Sequence, residues 1–372
     1  MKKAIFICFF GVVALLVAGL FLVGLVKANQ QNLRQGTKIR PLVIQNGLAD
    51  VRGQIHVHSY RSHDSNGSLA DIVKAAKSSG VHWVILTDHV SSSKFADLLY
   101  PVNMDNVLLA FGKENGHASG GYQLSVGPGG SGKRLSILGH LNKIKSRDWL
   151  AENWNGLEIV NFLDNAKEQN WWKLLLTLNP YEKLSYGIRS NFQLWQDLSE
   201  ARNKPVPIVA GPDAHENINV LGLQLDPYDV LFRLVSTHVF LEADKNSGSV
   251  ELTEEKILTA IKRGRTYIAF DYLADSEGFS FAAVNGGNGK EYDFLGFTGD
   301  TVVNPEALYV KVPYKDAVRK LVELRMFKDN RLIYADKGCC LESRTPAEPG
   351  FWRVEVWYRG HPWIISGQIL VK

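Results

Sequence analysis

Eight side chains of metal-ligating type recur along the chain: His56, His58, Asp64, His89, Glu114, His140, Asp213 and His215. His56 and His58 are two residues apart, so in an extended strand their imidazoles leave one face, and Asp213 with His215 repeats that spacing. Imidazole nitrogen and carboxylate oxygen suit zinc, manganese and iron alike, and this many donors exceed what one four-coordinate ion needs. The chemistry expected is that of two or three divalent ions sharing bridging carboxylates and activating water for hydrolysis. Asp88, next to His89, is expected to orient a ligand or accept the proton from that water, because successive strand residues point to opposite faces. His63 and Asp64 compete for one place in the loop after His58, and the carboxylate is preferred because it can bridge ions. His82, His117, His238 and His361 read as surface or hydrogen-bonded core histidines.

The elements that must position these groups follow from the apolar pattern. Each of the eight falls at or just after the end of a predicted strand. Val84–Leu86 leads to Asp88 and His89, Asn106–Phe111 to Glu114, Arg134–Leu138 to His140, and Val206–Ala210 to Asp213. In a parallel β/α barrel such ends form one rim, where active sites are built. Between the first two strands, Ser68 opens a capped amphipathic helix reaching about Ser79 and stopped by Gly80. Leu157–Val160 reads as another strand, ending at Asn161. Helices are expected over 167–178 and 191–201, with Pro180 and Pro205 as terminators. Thr237–Leu241 and Thr266–Phe270 read as strands flanking a helix capped by Thr253 and closed by Gly264. The Gly-rich stretch 117–133 lacks the residue order of a phosphate-binding loop and reads as a flexible hairpin or loop.

After about residue 275 the helical period fades and alternating runs take over, which reads as a small antiparallel β-sandwich. The expected division is 1–28 anchor or signal segment, 29–49 tether, 50–272 metal-dependent β/α-barrel hydrolase domain and 273–372 β-sandwich domain. From Ala4 to Val26 no residue is charged. That run makes roughly 34 Å of helix, enough for a hydrocarbon core of about 30 Å. An uncleaved membrane anchor with an extracytoplasmic catalytic domain is expected, and cleavage after Ala28 would release a secreted protein. A net charge of +4 on 372 residues demands no polyanionic partner, so no nucleic acid is expected. The three cysteines, Cys8 in the apolar run and the adjacent Cys339 and Cys340, form neither a disulfide framework nor a zinc-finger spacing.

The ordered motifs resemble the polymerase and histidinol phosphatase (PHP) family of metal-dependent hydrolases. His56-Val57-His58 is similar to its opening HxH, Thr87-Asp88-His89 to its TDH, Glu114 and His140 to the carboxylate and histidine that follow, and Gly211-Pro212-Asp213-Ala214-His215 to its closing Asp-x-His. Gly156-Leu157-Glu158-Ile159-Val160-Asn161 is similar to a further family segment. The likeness covers roughly residues 50–270. It implies a distorted seven-stranded β/α barrel with a two- or three-metal site. Two positions depart from the pattern. The loop Ser62-His63-Asp64-Ser65-Asn66-Gly67 replaces the usual Ser-Asp-Gly, and no His or Cys occupies the strand between those of His140 and Asp213, where Asn161 or Asn179 stands nearby. The activity implied is phosphoester hydrolysis on a small-molecule or surface-polymer substrate. Amide or carbamate hydrolysis by the same site, and a metal-stabilised binding protein using the sandwich, are the alternatives.

Overall fold

The computed structural model describes residues 18–21, 23–34, 42–89, 101–127, 134–146, 148–164, 181–220, 222–244, 249–286, 291–313, 316–338 and 342–372. Strands β1 (Val43–Gln45) and β2 (Leu48–Val57) form a hairpin around Asn46 and Gly47, both at positive φ. Helix α1 (Leu69–Ser78) begins where the Asp71 amide donates to Ser68 Oγ and the Ser68 amide donates to the Asp71 carboxylate. Two amides that the helix leaves without partners are satisfied in this way. The helix buries Ile72, Val73, Ala75 and Ala76, and Gly80, at φ 71°, turns the chain towards β3 (Trp83–Asp88).

Strands β2, β3 and β5 (Val107–Gly116) pair in parallel, with β4 (Val102–Met104) folded back on β5. Next come β6 (Tyr122–Val126) and β7 (Leu135–Gly139), each antiparallel to its predecessor, and then β8 (Gly156–Asn161) and β9 (Ile208–Gly211), parallel to β7. Six of these strands therefore end on the same side, and β4 and β6 run the other way. Of the two readings of the Gly-rich stretch, hairpin or loop, residues 117–126 form the hairpin, with β6 as its second strand. The alternation Tyr122 to Val126 matters more there than the flanking glycines, because Leu124 and Val126 are buried in the core. An isolated parallel bridge links Ala214, just past β9, to Val57 at the end of β2, and the His58 amide donates to the Ala214 carbonyl at 2.9 Å.

Both faces of this sheet are covered. Val84 and Leu86 pack with α1, with α2 (Tyr181–Arg202) and with α3 (Tyr228–Leu234), while Trp83 and Ile85 pack against β12 (Ser236–Glu242) and α4 (Glu254–Lys262). That explains the unbroken apolar runs. Each such side chain, fully buried, contributes roughly 1.5–3 kcal/mol, which exceeds what helix propensity alone supplies. The helix read over 191–201 extends back to Tyr181. Between β9 and α3, β10 (Asn219–Val220) and β11 (Leu223–Gln224) form a short hairpin. β12 runs antiparallel to β2, and β13 (Thr266–Ala269) runs antiparallel to β12.

The remaining strands are β14 (Ser280–Gly286), β15 (Tyr292–Phe297), β16 (Thr301–Val302), β17 (Ala307–Lys311), β18 (Val322–Lys328), β19 (Arg331–Lys337), β20 (Glu342–Pro346), β21 (Gly350–Tyr358), β22 (His361–Ser366) and β23 (Ile369–Val371). An antiparallel sheet of order β15-β14-β17-β20 faces the strands around β18 and β21, and Phe281, Val310, Leu324, Met326, Trp352 and Val354 fill the space between them. β22 pairs with β13, so hydrogen bonding continues across the division drawn at residues 272 and 273.

Residues 18–21 and 23–34 are helical, and the stretch from Gln30 to Arg34 docks on this body. Gln30 donates to the Gln224 carbonyl at 2.8 Å, and Arg34 pairs with Asp229 of α3 at 2.6 Å. No helix among the described residues is long and apolar enough to cross a membrane. Residues 4–17 and Leu22 of the apolar run, Cys8, Cys339, Cys340, Asn179 and the helix expected over 167–178 lie outside the described residues.

Candidate metal centre

The strand ends are irregular at the positions that carry the chemistry. In β2, Ile55 pairs with Ile85 and Val57 with Leu86, which leaves His56 as an extra, bulged residue at φ 65°. His56 and His58 are therefore brought together by a bulge, not by the plain alternation expected from their spacing. β8 is bulged too, Glu158 pairing with Val209 and Val160 with Ala210. The extra residue, Ile159, puts Glu158 and Asn161 on the same side although they are three apart. Just past β7 and β9, His140 at φ 49° and Asp213 at φ 53° also adopt the left-handed conformation. For residues other than glycine that conformation is held only where the surroundings over-determine it, and it concentrates at functional sites.

The donors converge. His56 Nε2 lies 3.3 Å from both Glu114 Oε2 and Asp213 Oδ1, and His58 Nε2 lies 3.4 Å from the same two atoms. His89 Nε2 is 3.3 Å from Glu114 Oε2 and 3.5 Å from Asp64 Oδ2, and His215 Nε2 is 3.4 Å from Asp64 Oδ2. These atoms form two groups, His56 with His58, Glu114 and Asp213, and His58 with Asp64, His89 and His215. Two donors each about 2.1 Å from an ion at tetrahedral angles stand about 3.4 Å apart, so the separations fit cation coordination. The buried Nε2 atoms of His56 and His58 make no hydrogen bond, which is costly unless an ion takes them as ligands. Among the described residues no lysine or arginine pairs with Asp64, Glu114 or Asp213. Zinc, manganese or iron would each accept this donor set.

The titration behaviour points the same way. Burial alone would lower the pKa of His56, but the carboxylates of Glu158, Glu114 and Asp213 outweigh it and hold this imidazole well above its ordinary range. Burial pushes His58 down to about 4 against the pull of Asp213, with His215 and His56 adding to the fall. For Glu114 and Asp213 burial works upward, yet the surrounding imidazoles, His56 foremost, hold both carboxyls below the usual range. A proton on His56 thus does in the free site part of what a bound cation would do.

His140 Nε2 stands 2.9 Å from Glu114 Oε1, at the edge of the first group. Of the two loop residues, Asp64 puts its carboxylate into the second group, while His63 lies beside the His89 ring at 5.3 Å between centroids. The Asp88 carboxylate accepts from the Ser59 amide at 2.5 Å and from Ser59 Oγ at 2.8 Å, so it braces the turn after His58 and belongs to neither group. Burial raises its pKa against those two bonds. His117 bonds Ser119 and Glu152, and His238 is enclosed between Asp50 and Asp271.

Two residues not singled out from the sequence as site groups, Glu158 and Asp164, complete the setting together with Asn161, which the sequence placed near the missing His or Cys. Glu158 Oε1 is 2.7 Å from His56 Nδ1, Asp164 Oδ2 is 2.9 Å from His140 Nδ1, and Asn161 Nδ2 is 3.3 Å from Asp213 Oδ2. Carboxylates on Nδ1 fix the tautomer that presents Nε2 to a metal. With Asp164 and Glu114 outweighing burial, His140 is raised to about 9. The available signal was Glu158 itself, a lone carboxylate inside an apolar strand. Asp164 follows in the helical residues 162–164 with no motif to mark it.

A model of the PHP domain matches residues 54–292. No curated protein matches the sequence. Among solved structures, one is a protein from Bacteroides vulgatus described as "a two-domain protein containing predicted PHP-like metal-dependent phosphoesterase". It is 13% identical, with a TM-score of 0.43, over 89% of this chain and 99% of that one.

Proposed function

This chain belongs to the PHP domain family, and from that premise, together with the two interlocked donor groups, we propose that it is a metal-dependent hydrolase acting on phosphoesters. The observation that carries the reading is the set of 3.3–3.5 Å separations among these donors, with the buried Nε2 atoms of His56 and His58 left without a hydrogen bond. His56, His58, Glu114 and Asp213 would hold one ion, and Asp64, His89 and His215 a second. Glu114 Oε2 is within reach of His56, His58 and His89, so Glu114 would serve both sets of donors. Bound ions supply Lewis-acid stabilisation of developing negative charge and a supply of activated water. The chain's own residues orient and exclude. Glu158 and Asp164 set the two imidazoles, Asp88 fixes the Ser59 turn, and the burial of His56 and His58 keeps bulk water from their donor atoms. The seven strands β2, β3 and β5–β9, drawn together by the Val57–Ala214 bridge, are the barrel-like frame of this proposal.

The uncharged run 4–26 supports a location at a membrane, with substrate outside it, whether a small molecule or a surface polymer. The test is hydrolysis of an aryl phosphate and an aryl carbamate by the purified protein reconstituted with zinc, manganese or iron. Phosphate turnover is expected. Carbamate turnover in its place would move the substrate class to amides, and bound metal without either activity would refute a hydrolase.

A further inference from the structure

A second concave site lies away from the metal donors. A cleft of about 350 Å³ opens between α2 and the strands β18, β21 and β22, a volume near the lower end of the roughly 300–1,000 Å³ of small-molecule sites. None of the metal-type donors lines it. Its floor is an ion pair between Arg353 and Glu355, 3.1 Å apart and only 3% and 4% exposed. The Arg353 guanidinium lies over the rings of Phe192 and Phe327, at 4.6 and 4.1 Å. It also donates to Asn330 Oδ1 at 2.8 Å, and Trp357 Nε1 donates to Glu355 Oε2 at 3.1 Å. Arg325, over the Trp357 ring at 4.0 Å, is neutralised by Glu323 at 2.6 Å. Arg189, on the exposed side of α2, lines the cleft and has no ion pair with any described residue.

The cleft thus combines three features: aromatic walls, a fixed planar polar floor and one guanidinium whose charge nothing described offsets. We propose that it binds an acidic saccharide, a sugar ring carrying one carboxylate or phosphate group. Arg189 would take the anionic group as a forked hydrogen-bond donor. Glu355 Oε2, which accepts from Trp357 Nε1, retains acceptor capacity, and Asn330 Nδ2, which donates one hydrogen to Gln193 Oε1 at 2.9 Å, has a second to donate, so both suit hydroxyl groups. Phe327 and Trp357 offer apolar surface to the C–H face of a ring. Simple anions fit poorly, because Glu355 stands in the same floor. A wholly apolar ligand fits poorly too, since it would strip water from the ion pair without replacing the lost hydrogen bonds.

The proposal is independent of the metal reading, and its test keeps the two apart. Full-length protein is titrated calorimetrically in the presence of a chelator, so that the metal centre contributes nothing, with glucuronate, glucose 6-phosphate, glucose, inorganic phosphate and tetraglutamate. At least one acidic sugar is expected to bind tenfold or more tightly than the other three probes, and the tighter of the two acidic sugars identifies the anionic group. Arg189→Glu, at an exposed position, is expected to weaken that binding at least tenfold with an unchanged melting temperature, and Asn330→Ala is expected to weaken it severalfold. Equal binding of glucose would overturn the assignment. So would tight binding of tetraglutamate, which would make the cleft a peptide groove, or full affinity in Arg189→Glu.

Discussion

Replacing Glu158 tests whether the site is built around oriented imidazoles. The carboxylate is fully enclosed: Oε1 is 2.7 Å from His56 Nδ1, and Oε2 accepts from the His140 amide and Asn161 Nδ2, each at 3.4 Å. Glu158→Gln keeps the shape and an acceptor oxygen but turns a charge-assisted hydrogen bond into a neutral one. That difference is about 1 kcal/mol, or roughly fivefold in metal affinity. Glu158→Ala removes the partner altogether and leaves a buried Nδ1 unsatisfied, at about 1–3 kcal/mol, in line with the 10–100-fold losses typical of such supporting groups. The expected order of metal affinity is therefore wild type, then Gln, then Ala, read by competitive titration with a chromophoric chelator. Thermal melts of the metal-free proteins give the separate structural cost. If Gln and Ala bound metal as tightly as wild type, Nδ1 orientation would have no part in the site, and the pairing of His56 with both Glu114 and Asp213 would need another explanation.

Three other perturbations follow from the same geometry. His56→Ala and Asp213→Ala each remove a donor of the first group, so metal content measured by elemental analysis should fall by at least one ion per chain; unchanged content would dispose of the assignment. Gly211→Ala places a methyl 2.4 Å from the Ile55 carbonyl, 2.6 Å from His56 Cβ and 2.8 Å from Glu158 Oε1. Backbone cannot yield as a side chain can, so about 1–3 kcal/mol of stability should be lost together with metal affinity, and a neutral result by denaturant titration would contradict the packing. His238, whose burial is outweighed by Asp50 and Asp271, is raised to about 9 from an ordinary value near 6.5. Its contribution is therefore fully present below pH 6.5 and lost as pH rises through 9, a fall of about 2 kcal/mol between pH 7 and pH 9 that His238→Asn should not show.

What the sequence disclosed and what it withheld divide along physical lines. Residue type was legible: imidazoles and carboxylates at strand ends have few structural reasons to recur in order, and seven of the eight enter the two donor groups with His140 against their edge. Local caps were legible as well. Ser68 with Asp71, and Thr253 accepting from the Lys256 amide, are decided within four residues. Backbone irregularity was not. A bulge at His56 or Ile159 depends on how the neighbouring strand is registered, which no short window contains. The same holds for β13 pairing with β22 about a hundred residues later, and for β6, where glycines on either side masked an alternating core strand.

The bulges and left-handed residues also explain why the supporting groups escaped notice. Glycine would meet the φ requirement at His56, His140 and Asp213 without strain, whereas side chains there cost on the order of 1–3 kcal/mol each. Such residues persist where neighbours fix them, and two of the neighbours are ones missed: Glu158 on His56 and Asp164 on His140, with Asn161 on Asp213 as the third. Strain and support therefore belong to one arrangement. A bound cation would add to it by neutralising Glu114 and Asp213, so part of its binding free energy appears as stability of the folded chain. The strand-end rim is thus a place where folding and metal binding draw on the same contacts, with the bulged His56 as the point at which both are set.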